Sequence, residues 1–151
     1  MRNDVRKYGV PLVVLVLAIL AAWATAAVAD ESLVVIVNPA NTVSTLSLSD
    51  LQNIYRGEKA RWPNGKLILL LMPAPGSPER SAVLKKVYKM SEGDYVKYFI
   101  QASFTGEVSA APKDLGSAAQ VKEAVASNPG AIGYVKQSDA DSTVKVILTV
   151  P

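Results

Sequence analysis

Lys66-Leu67-Ile68-Leu69-Leu70-Leu71-Met72 is followed at once by Pro73-Ala74-Pro75-Gly76-Ser77-Pro78-Glu79-Arg80. After Lys66 the six residues to Met72 form an unbroken apolar run, and the stretch is short enough for a strand buried on both faces. Two prolines and a glycine break it. Ser77 is then placed as an N-cap, Pro78 at the first helical position and Glu79 in the first turn. Val83, Leu84, Val87 and Tyr88 give that helix an inward stripe. A buried strand feeding a helix through a tight turn is the unit of an α/β layered domain.

The flanks repeat the pattern. Upstream, Leu33 to Val37 (LVVIV) reads as another doubly buried strand, stopped by Asn38-Pro39. A polar loop with Asn41, Thr42, Ser44 and Thr45 follows, and Ser49-Asp50-Leu51-Gln52 reads as a capping box opening a short helix. Trp62-Pro63-Asn64-Gly65 is a turn by composition. Downstream, Ser91 to Asp94 opens a helix with Tyr95, Val96, Phe99 and Ile100 on one face, closed by Thr105-Gly106. A loop containing Pro112 leads to Ser117-x-x-Gln120, a second capping box, and to a helix ending at Asn128-Pro129-Gly130. Ala131 to Val135 and Val144 to Val150 complete the order β-α-β-α-α-α-β-β. The expected fold is α/β: one layered domain with a mixed, mostly parallel sheet flanked by helices.

The amino terminus sets the compartment. Arg2, Arg6 and Lys7 precede an apolar run from Val10 to Ala22, and small residues end at Ala27-Val28-Ala29 before Asp30. That is the layout of a signal peptide over residues 1–29, cleaved after Ala29. The rival is a retained anchor, disfavoured by Pro11 and the Ala-rich end. Cleavage leaves 151 − 29 = 122 residues, the length of one domain, residues 30–151. The mature part is expected to be periplasmic and not membrane-spanning.

Charge and composition narrow its chemistry. The removed segment holds three of the 16 basic residues and one of the 13 acids, so the remainder is 13 against 12, a net of +1. No basic cluster suited to nucleic acid remains. Histidine and cysteine are both absent. A Ser-His-Asp triad, a thiol nucleophile and the usual zinc sites are thereby excluded. Asp139 and Asp141 lack the third acid and the glycine of a calcium loop and read as a solvated turn. No enzyme, cofactor or metal is expected.

Three stretches in this order carry a resemblance. Leu48-Ser49-Asp50-Leu51-Gln52-Asn53-Ile54-Tyr55-Arg56-Gly57-Glu58-Lys59, with Trp62, is the first. The strand, Gly-Ser turn and helix start at Leu67 to Arg80 are the second. Asn128-Pro129-Gly130-Ala131-Ile132-Gly133-Tyr134-Val135 is the third and most specific. Together they resemble the phosphate-type family of periplasmic solute-binding proteins of ABC transporters. The resemblance implies one lobe of a type II periplasmic binding protein, and a small oxyanion such as phosphate as ligand. It also implies an envelope or transporter protein as partner.

In the family the turn before the central helix holds the oxyanion through backbone N–H groups, hydroxyls and an arginine. Here Ser77 keeps the serine, Pro78 removes a donor and Glu79 puts a negative charge there. Ser77 and Arg80 are thus either an oxyanion contact or a cap and a surface charge. Asn38, Thr42 and Ser44 are further candidates, placed after the first strand where open α/β sheets bind ligands, or else ordinary loop residues. Trp62 is either an exposed partner contact or the cover of a core. The alternative function is a non-catalytic envelope accessory protein that keeps the binding fold as a scaffold.

Overall fold

The computed structural model describes residues 32–108 and 111–150, all within one compact unit, Glu31–Pro151. The signal-peptide and Ala29 cleavage readings lie outside the described residues. Five strands make one sheet: β1 (Leu33–Val37), β2 (Leu69–Pro73), β3 (Lys113–Leu115), β4 (Ala131–Lys136) and β5 (Lys145–Val150). Their spatial order is β3-β2-β4-β1-β5. β2 pairs parallel to both β3 and β4, whereas β1 lies antiparallel between β4 and β5. Four strands therefore point one way and β1 alone runs against them. The sheet is mixed and mostly parallel.

Side-chain alternation along a strand divides the core into two layers. Leu33, Val35, Val37, Met72, Ile132 and Tyr134 face one side. They pack there against α1 (Leu48–Tyr55), α2 (Pro78–Val83) and α3 (Glu92–Thr105). Val34, Ile36, Leu71 and Val135 face the other side and are covered by α4 (Ala118–Ser127) through Val121 and Val125. Helices on both faces explain why β1 has no polar position at all: all five of its residues are buried.

Four local expectations need correction. The cap of α1 is Ser47, not Ser49: its Oγ accepts from Asp50 N at 3.0 Å and donates to the Asp50 carboxylate at 2.6 Å. β2 begins at Leu69 rather than Lys66, because Leu67 instead pairs with Arg61 across the Trp62–Gly65 turn. The loop at Pro112 contains the short edge strand β3, whose three residues are too few to show periodicity. On α3, Val96 and Ile100 do not join Tyr95 and Phe99 inside; they are 45% and 54% exposed.

The stripe expected on the second helix holds. Val83, Leu84, Val87 and Tyr88 are all buried, the last three in a π-helical continuation of α2 that ends at Lys89 with φ +56°. Among the described residues no helix is long and apolar enough to cross a membrane.

Candidate functional site

The turn after β2 is built as its sequence predicts. Gly76 takes φ +86°, a conformation that favours glycine. Ser77 caps α2, its Oγ accepting from Arg80 N at 3.3 Å, with Pro78 at the first helical position. The capping hydroxyl is thus engaged within the helix it opens.

Arg80 is not a surface charge. It is 2% exposed and among the largest fully buried side chains. Its Nε and Nη2 donate to the two carboxylate oxygens of Glu92 at 3.0 and 2.6 Å. Nη1 donates to Asp114 Oδ1 at 2.5 Å and to the Pro73 carbonyl at 3.2 Å. The guanidinium also lies 5.0 Å from the centre of the Tyr95 ring. One side chain therefore ties the end of β2 to α2, α3 and β3. Burial alone would lower its pKa, but the hydrogen bonds and charges of Glu92 and Asp114 outweigh this and raise it above the ordinary arginine range. Both acids stay partly exposed, at 40% and 46%. The trio carries one positive and two negative charges, a net of −1.

Asn38, Thr42 and Ser44 are not brought to this place. β1 runs against β2 and β4, and Val37 pairs with Ile132 near the start of β4. The carboxyl end of β1 therefore sits at the amino ends of β2 and β4, whereas Ser77 and Arg80 follow the carboxyl end of β2. Asn38 is buried, donating from Nδ2 to the carbonyls of Val125 and Ala126 at 3.1 and 2.7 Å. It closes the last turn of α4. Thr42 and Ser44 are exposed in the loop beyond.

The remaining candidates resolve as structure. Trp62 is buried and donates its indole N–H to the Gly130 carbonyl at 3.0 Å, so it covers the core. Gly133 has no room for a Cβ against Val121. Tyr134 is buried in the core. Asp141 accepts from Lys122 Nζ at 2.7 Å and from Thr143, in the turn before β5. These bonds, that of Lys122 foremost, hold its pKa below the usual carboxylate range. Among the described residues no three potential metal-ligating groups come together.

Beside Arg80 a groove of about 460 Å³ runs along α3. Its walls are Pro75, Val96, Phe99, Ile100, Phe104 and Pro112, and Arg80, Glu92 and Asp114 lie at its polar end. Phe104 stands 88% exposed at its rim. Glu92 and Asp114 are not legible as site residues in the sequence, where the first reads as a helix start and the second as loop. Their only signal would have been a long-range partner for Arg80.

The fold is that of one lobe of a type II periplasmic binding protein. The solved structures that share it include a Clostridium perfringens protein, taken to be a phosphate ABC transporter substrate-binding protein and solved with bound phosphate. It matches at a TM-score of 0.62 and 22% identity, over 77% of this chain and 44% of that one. An ABC-type phosphate transport receptor from Vibrio cholerae matches at 0.62 and 21%, over 77% and 45%. PstS from Borrelia burgdorferi matches at 0.58 and 17%, over 77% and 46%. The chain thus spans a little under half the length of these proteins. No protein-family model matches the sequence, and no curated protein matches it.

Proposed function

We propose that this chain is an exported, non-catalytic domain of the solute-binding type, holding a small solute beside the carboxyl end of β2. The supporting observation is the groove at that place, where open α/β sheets present ligands. The shared fold supports the same reading. Export to the periplasm rests on the 1–29 signal layout, and a transporter or envelope protein is the partner such a domain would serve.

Phosphate is the solute that the resemblance implies, and the Arg80 environment weighs against it. Four of the five guanidinium N–H groups are already bonded inside the protein, and a net charge of −1 would face an arriving anion. Thermal unfolding of the full chain with phosphate or sulfate at millimolar levels should show no saturable shift. A ligand present at 100 times its Kd would add about 2.7 kcal/mol, which such a measurement resolves easily. A saturable phosphate shift that disappears in Arg80→Met would restore the oxyanion reading.

The exposed stripe of Val96, Ile100 and Phe104 favours a second reading, the scaffold that docks on an envelope protein. That reading predicts a flat response to all small solutes, together with a stoichiometric complex lost on Phe104→Asp.

A further inference from the structure

We infer that the α3 groove takes an organic cation with an apolar body, an ammonium or guanidinium compound rather than an oxyanion. The inference rests on the solute-binding reading and names the class of solute. The volume, about 460 Å³, lies within the range of roughly 300–1,000 Å³ found for small-molecule sites. The walls are aliphatic and aromatic. Val96, Ile100 and Phe104 recur every four residues along one face of α3, with Phe99 beside them. This stripe is exposed, and an apolar body laid along it would remove that exposure.

The polar end selects the charge. Glu92 spends both carboxylate oxygens on Arg80, but Asp114 engages it through Oδ1 alone. Asp114 Oδ2 has no hydrogen-bond partner among the described residues, on a side chain 46% exposed at the groove. A cationic head there would bring the cluster from −1 to neutral, whereas a carboxylate or phosphate would take it further from balance. The exposed ring of Phe104 adds a face that attracts cations.

The experiment is calorimetric titration of the full chain with phenylbutylamine, phenylbutanol and phenylbutyrate, which share a body and differ in head charge. The protonated amine should bind at least about tenfold more tightly than the carboxylate, and added salt should weaken it. Phe104→Ala and Asp114→Asn should each weaken amine binding several-fold, with the thermal midpoint of Phe104→Ala unchanged because that side chain is 88% exposed. Equal affinity for the three probes would overturn the cation and leave the solute-binding reading standing. Binding of none of them would overturn the inference, and phosphate titrated alongside tells whether the broader reading falls as well. Self-association in light scattering, abolished by Phe104→Asp, would assign the groove to a second copy and also overturn the inference.

Discussion

At the residue scale the buried tyrosines differ in what their hydroxyls do. Tyr88 donates to the Tyr55 carbonyl at 2.9 Å, whereas the hydroxyls of Tyr55 and Tyr134 meet no partner among the described residues. A buried polar group without a partner loses its hydration with nothing in exchange, so deleting it costs little. Tyr134→Phe is therefore expected to leave stability unchanged or slightly raised, and Tyr88→Phe to cost about 1 kcal/mol. Urea unfolding of both variants checks this; a large loss on Tyr134→Phe would reveal a bond partner for that hydroxyl. Sequence reading judged some single residues well and others poorly for one reason. Ser77 was legible as a cap because its partner lies three residues away. The fates of Arg80, Asn38 and Trp62 depend on groups 34, 87 and 68 positions distant, which no local pattern reports.

At the element scale, the Arg80 cluster is the joint between β2, β3 and the starts of α2 and α3. The burial is unequal: the arginine is inside, while both acids reach solvent. Removing the arginine leaves two carboxylates that water can reclaim. Neutralising both acids leaves a buried, unpaired cation, a defect that costs about 3–5 kcal/mol. The double variant Glu92→Gln with Asp114→Asn should therefore lose more stability in chemical denaturation than Arg80→Met. The reverse order would mean that the arginine stem, through its packing, matters more than its charge. Elements with strong local signals were readable: β1, the inward stripe of α2, and the α4 cap at Ser117. β3 was not, since its position is fixed by pairing to Leu71–Pro73 rather than by its own residues. Periodicity predicts the apolar arc of α3 to be wholly inward because it reveals a face but not whether anything covers it. The Asn128–Val135 segment that carried most of the resemblance turns out to be architecture. Asn128 Oδ1 accepts from Gly130 N at 2.9 Å, the Gly130 carbonyl receives Trp62, and Gly133 admits α4 closely.

At the scale of the whole molecule, the tyrosines set an alkaline limit. Burial raises the folded-state pKa of Tyr55, Tyr88 and Tyr134 above the ordinary value of about 10. Folding thus favours their neutral forms. That contribution is complete below about pH 10 and is lost as pH climbs towards the raised folded values, because the unfolded chain gives up its protons first. Phenolate absorbance from these rings should appear together with loss of circular dichroism, not before it. Titration of all the tyrosines near pH 10 with the fold intact would contradict the burial described.

The placement of β1 also dictates when the sheet can form. Leu33 pairs with Lys136 and with Val150, so the first strand of the domain lies between its last two. Loop closure over such spans must be met before any of these pairings returns free energy, a topology that folds slowly. While the chain emerges from the ribosome, LVVIV has no strand partner until β4 and β5 have followed it. An exported chain arranged this way would stay threadable through a translocation channel until β4 and β5 had been made. It would close its sheet only after β5 had followed.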